Sequence, residues 1–314
     1  MAAARKRRAA AAAEPRAALI RFSLFGVLLI GIAIGAAAKH AWITDDAYIS
    51  FRYARNLVQG LGLVFNAGER VEGYSNFLWT LWCALGMRLG VSPETWTLAS
   101  GIFCHAGSVL LLLVFTRARS RRVPGLAIPF AAILAALHRD GSVFATSGLE
   151  TSLFTLLAIV GYLLLALGEP TPRRLAGAGV ALALATLTRP DGIVFAAVGG
   201  LAALVFSRRR LPAVSAYAIG CLALLLPWAL WKLSFYGDLL PNTWYAKSGD
   251  RSWYSQGLTY VGLYFARYWM AALALPVALV AAWRRTGAGA RSGGDPEWVR
   301  AAVVAAGFAL AGTW

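Results

Sequence analysis

The feature that most constrains this chain is a series of apolar runs about as long as a bilayer is thick, separated by short arginine clusters. An α-helix rises about 1.5 Å per residue, so roughly 20 apolar residues cross the hydrocarbon core. Runs that qualify lie at 17–38, 95–116, 124–138, 149–167, 174–189, 192–206, 211–232, 257–282 and 299–314. Only 14% of the 314 residues are charged and 59% are hydrophobic, whereas a soluble domain keeps roughly a quarter charged to cover its surface. Lipid must therefore cover part of this chain. The expected fold class is all-α, a polytopic transmembrane helical bundle.

The net charge of +16 is unevenly placed. Arg5-Lys6-Arg7-Arg8, Arg117–Arg122, Arg173-Arg174, Arg208–Arg210 and Arg284-Arg285 sit between apolar runs, as cytoplasmic loops do. No basic stripe alternates with aromatics, so nucleic acid is not an expected partner. With the basic clusters inside, the connections 39–94, 139–148, 188–191 and 233–256 face outward. Residues 75–91 are apolar, but a crossing there would invert every later cluster. Phe77, Trp79 and Trp82 favour an interface and Arg88 resists burial in lipid, so this stretch is read as an interfacial helix. Residues 1–16 form a basic cytoplasmic tail and 17–314 one transmembrane module. The run 17–38 is too long for a signal-peptide core and reads as an uncleaved first span. The last run reaches Trp314 with no polar tail, which predicts the N-terminal portion of a longer chain.

Cys83, Cys104 and Cys221 lie in apolar runs without CxxC spacing and read as small buried hydrophobes. His105 is expected to be a hydrogen-bonded contact between helices. His40 and His138 have no second ligand at helical spacing, so a zinc site is not expected.

Distinctive polar residues gather in the outward connections. Thr44 suits a helix N-cap, with Asp45 and Asp46 in the first turn. Asp45, Tyr48, Arg52, Arg55 and Gln59 then share one stripe, and Ala47, Phe51, Ala54 and Val58 another. Capping alone explains one acid; two adjacent acids beside an apolar span suggest a task. Arg189 and Asp191 occupy a tight hairpin, Thr188 to Gly192, between two apolar helices. An outward arginine there suits a phosphate, which guanidinium binds bidentately, and a local Arg189–Asp191 ion pair is the bland alternative. Glu72, Tyr74 and Asn76 in the first loop, Glu150 at the start of a span, and Asp238, Asn242, Tyr245 and Lys247 after 233 complete a candidate cavity.

Taken in order, DDAYISFRYARNLVQGLGLVFNAGERVEGYSNFLW, SGLETSLF, LTRPDG and YGDLLPNTWYAKSG resemble the signature blocks of the bacterial GT-C glycosyltransferases, their arabinofuranosyltransferase branch in particular. The blocks run from residue 45 to about 250. The resemblance implies a GT-C transmembrane module in the bacterial cytoplasmic membrane, with interfacial helices and an acidic motif in its first outer loop. It also implies a polyprenyl-phosphate sugar donor, a glycan acceptor outside the membrane and a soluble C-terminal domain. By that resemblance Asp45 is the candidate general base and Asp46 the second choice. Arg189, with Arg52, Arg55 or Lys247, holds the departing phosphate, and a single displacement inverts the anomeric centre. A divalent cation stays open: Asp45, Asp46 and Glu150 offer oxygens, but no ligand pattern is recognisable. The rival reading is a transporter or flippase of a lipid-linked phosphate. Transporters place polar groups at the midplane of repeated halves, and no repeat is visible here.

Overall fold

In the computed structural model the described residues are 2–120, 128–167, 169–207, 209–248 and 254–267, the side chains of 2–17, 119–120 and 247–248 excepted. They form twelve helices and, among the described residues, no strand. Among the described residues three helices are long and apolar enough to cross a membrane: Ala18–Lys39 within α1 (Ala2–Lys39), Pro93–Ala118 within α4 (Pro93–Ser120), and α10 (Arg210–Tyr236). The chain folds as a helical membrane protein.

Of the nine apolar runs, those at 124–138, 149–167 and 192–206 hold helices shorter than a full crossing among the described residues. The run 124–138 contains α5 (Phe130–Leu137), only eight residues long, which stops at His138. There the backbone turns extended, and the His138 ring nitrogen Nδ1 accepts the Gly141 N–H at 3.0 Å, starting α6 (Arg139–Phe144) afresh. The apolar count ended at the same place; what it missed is the start, since α5 begins only at Phe130, after Pro129. α7 (Thr151–Ala166) and α9 (Gly192–Phe206) have 16 and 15 residues, about 24 and 22 Å of helix. The helix α8 (Pro172–Thr188) is capped by the Thr171 hydroxyl, which accepts the Arg174 N–H. The runs 257–282 and 299–314 lie largely or wholly outside the described residues. The first helix also extends N-terminally through the basic tail to Ala2. Between α2 (Asp45–Val58) and α4, residues 75–91 hold α3 (Phe77–Arg88), whose 12 residues span about 18 Å, too short to cross.

The chain divides into two compact units. The first comprises residues 1–43 and 97–152. Its core is Leu29 and Ala33 of α1, Val109 and Leu113 of α4, and Ala132 and Ala136 of α5. Trp42 Nε1 donates to the Val143 carbonyl at 3.0 Å, and the Thr146 hydroxyl donates to the His40 carbonyl at 3.2 Å. His105 is buried, and its Nε2 has no hydrogen-bond partner among the described residues, against the expectation of a bonded contact.

The second unit comprises residues 44–96 and 153–314. Its larger core joins α7 to α10 through small residues: Ala158, Ala178, Ala196, Ala202, Ala203 and Ala213 around Leu182, Phe195 and Tyr217. Small side chains let helices that gain little from hydrophobic expulsion inside lipid approach by backbone contact. Gly179 and Gly220 mark the tightest point. A Cβ at Gly220 would overlap the Ala176 carbonyl, and one at Gly179 the Tyr217 carbonyl. The second core of this unit, Tyr53, Leu63 and Tyr74 with Phe77, Trp231 and Tyr236, carries the candidate site.

Candidate functional site

The α2 helix begins where the sequence predicts, with both acids in its first turn and exposed. Thr44 has the extended backbone of an N-cap, yet its side chain caps no N–H. Its hydroxyl donates instead to Asp45 Oδ1 at 3.0 Å, and the Asp46 N–H donates to the same oxygen at 3.0 Å. Asp45 Oδ2 and the Asp46 carboxylate make no hydrogen bond among the described residues and stand open at the positive end of a helix. The opposite stripe is buried through Ala47, Ser50, Phe51 and Ala54, while Val58 is exposed. Tyr48 is also exposed, edge-on to Phe51.

The loop 59–76 has no regular structure, but α2 holds it closely. Asn56 Nδ2 donates to the carbonyls of Val64 and Phe65, and Arg52 Nε donates to Phe65 O at 2.8 Å. The Arg52 guanidinium also reaches Asn66 and lies over the Phe65 ring. The Tyr53 hydroxyl donates to Val71 O at 2.7 Å and accepts the Gly73 N–H at 2.8 Å. Gly60, Gly62 and Gly68 have φ of +80°, +87° and +86°, turns that side chains with a Cβ adopt only with strain. Arg52 therefore shapes this loop. Arg55 stands exposed on α2, and the side chain of Lys247 lies outside the described residues.

At the end of the loop the chain returns to the C-terminal turn of α10. Lys232 Nζ meets Glu72 Oε2 at 2.7 Å, with side chains only 4% and 5% exposed. Above the pair, Tyr236 donates to Leu63 O at 2.6 Å and lies 3.4 Å from the Tyr74 hydroxyl. The Asn242 N–H donates to the Glu72 carbonyl at 2.9 Å, tying α11 (Asn242–Ser248) to the same point. Asn76 Oδ1 accepts from Ser50 and Thr80 in the buried seam between α2 and α3. Burial pushes the Glu72 carboxyl above the usual carboxylate range against the pull of Lys232. Tyr53 and Tyr74 are raised as well, burial being the main cause. Asp238 is fully exposed and lowered, because the Leu240 N–H and then the Tyr245 hydroxyl donate to its carboxylate.

Arg189 closes α8, its N–H bonded to Ala185 O at 2.8 Å. Its Nε meets Asp191 Oδ1 at 3.1 Å and the guanidinium lies 5.7 Å from the Phe154 ring centre. The local ion pair is thus present, about one-third exposed on each side. Glu150 is buried and belongs to the first unit. No group of three or more metal-ligating side chains exists among the described residues.

No family profile and no solved structure matches the sequence. Two curated proteins do. A terminal beta-(1->2)-arabinofuranosyltransferase of Mycobacterium tuberculosis is 30% identical over 282 residues, 83% of this chain and 43% of the relative. Its counterpart in Corynebacterium glutamicum is 29% identical over 289 residues, 83% of this chain and 42% of the relative. The chain is thus similar to two proteins described as terminal arabinofuranosyltransferases. It spans about two fifths of the length of the curated relatives it matches.

Glu72, Tyr74, Asp238 and Asn242, singled out from two distant stretches of sequence, converge around the end of α10. Asp45, Asp46, Arg189 and Asp191 belong to the same unit, in the local arrangements given above. Sequence reasoning missed Lys232. A signal existed: Lys232 is the one charged residue between Arg210 and Asp238, and a lone cation in an apolar helix needs a partner.

Proposed function

We propose that the chain is the membrane module of a glycosyltransferase that moves a sugar, arabinofuranose first among the candidates, from a polyprenyl-phosphate donor to a glycan outside the cytoplasmic membrane. The observation that carries this reading is the open acid pair at the start of α2, in a chain similar to proteins described as arabinofuranosyltransferases. A sugar on a lipid phosphate already has a good leaving group. The reaction then needs a base for the acceptor hydroxyl and cations for the phosphate. Asp45 is the proposed base, because Oδ2 is open while Oδ1 is held by Thr44 and the Asp46 N–H. Asp46 is the second candidate.

The acceptor oxygen attacks the anomeric carbon as its proton passes to the carboxylate. The bond to the phosphate oxygen breaks with its electron pair, and the configuration inverts. Arg189 is the proposed phosphate ligand, exchanging Asp191 for the anion, with Arg55 as the exposed second cation and Arg52 and Lys247 as further candidates.

The test offers the purified chain radiolabelled polyprenyl-phosphate sugars and envelope glycans. Transfer is expected, with Asp45→Asn at least ~100-fold slower, the scale of a general base. Full activity in that variant removes the base assignment. Movement of intact donor across vesicles without transfer favours the transporter reading.

A further inference from the structure

We propose that the Lys232–Glu72 pair is a positioning device that sets the register of the first outer loop, and with it the place of the 238–248 segment. Three observations support this. The pair is buried on both sides, and it lies between an irregular loop and the last turn of a long apolar helix. Replacing a buried pair by apolar groups of similar shape often leaves stability unchanged, so stability alone is a poor reason for one. Register is a better one. Residues 59–76 have no ladder or helix periodicity to fix them, and three of their turns use glycines with positive φ. A slip of one residue would leave both charges buried and apart.

The consequences of that register are all near Glu72. The next residue, Gly73, donates to Tyr53, and Tyr74 lies against Tyr236. The carbonyl of Glu72 itself receives the Asn242 N–H, which starts α11. Asp238 feels both charges of the pair, and its carboxylate positions Leu240 and Tyr245 at the exposed edge. One ion pair therefore fixes two segments far apart in sequence. On the proposed function, these segments form the acceptor side of the cavity, and Lys232 acts on the reaction only through them.

The test compares Lys232→Met, Glu72→Leu and the double variant in the full-length chain, in detergent and in vesicles. Each single variant leaves a buried charge unpaired and is expected to melt earlier. The double variant is expected to recover most of the melting temperature. Amide exchange in residues 59–76 and 238–248 is nevertheless expected to rise at least tenfold in the double variant, with other helices unchanged. This readout does not depend on the chain having any activity. Where wild-type transfer is measured, the double variant should raise KM for the glycan acceptor about tenfold and leave KM for the donor unchanged. A double variant with wild-type exchange in both segments overturns the proposal, because the pair is then only a packing element. Unchanged melting in the single variants overturns it too. Absence of transfer in the wild type, with the exchange result as expected, counts against the proposed function and in favour of the register device.

Discussion

Replacing Gly220 by alanine tests the packing of the second unit at its tightest point. The new Cβ would overlap the Ala176 carbonyl oxygen and crowd the backbone around it. Neither is the end of a flexible side chain, so only movement of α8 relative to α10 relieves the overlap. Bringing a carbon and an oxygen back to ordinary contact needs a separation of about 1 Å. That would loosen the Cys221 contact to the Gly179 carbonyl, now 3.4 Å, and the packing of Tyr217 and Leu182. Overpacking of this kind costs about 1–3 kcal/mol, and a backbone-on-backbone clash belongs near the top of the range. The helix-propensity gain of alanine over glycine, about 1 kcal/mol, offsets part of it. A net loss of about 2 kcal/mol should lower the melting temperature by roughly 4–8 °C for a unit of this size. Gly177→Ala is the internal control: its Cβ would meet only Leu164 Cδ1 at 3.5 Å, an ordinary contact. That variant should melt at or above the wild-type temperature. Thermal unfolding in one detergent, read by circular dichroism, decides the matter. Equal melting of Gly220→Ala and the wild type would refute the reasoning.

Tyr53→Phe removes the hydroxyl that bonds both Val71 O and the Gly73 N–H, and it should cost about 1–3 kcal/mol in melting experiments, since partly buried groups lose their partners. Asp238 gives a pH dependence. Its folded pKa is depressed, so its contribution to local order is present above the usual carboxylate value and lost as pH falls through the lower folded value. Protection of the 238–248 amides, taken relative to their intrinsic exchange at each pH, should therefore fall only below about pH 4, and Tyr245→Phe should move that onset to higher pH. Arg189→Ala should weaken donor binding more than acceptor binding; equal weakening in titrations with each would count against the phosphate role.

The sequence by itself determined that this chain is helical and lipid-covered, because apolar runs without charges leave no other way to satisfy the backbone. It also placed the start of α2 with its two acids, the turn at 188–192 and a short helix inside 75–91, since caps, prolines, glycines and tryptophans act locally. It did not show that the helix in the run 124–138 is confined to Phe130–Leu137 or that a new helix starts at once after it, because that restart depends on a ring nitrogen capping an N–H three residues on. Nor did it bring Glu72 to Lys232. These residues are 160 positions apart, and no periodicity in either segment points to the other. Nor did it show that Arg52 donates to the loop carbonyl at Phe65. Local propensity sets where helices start and stop, whereas long-range pairing of buried charges is decided by which surfaces pack, and only the tertiary structure contains that.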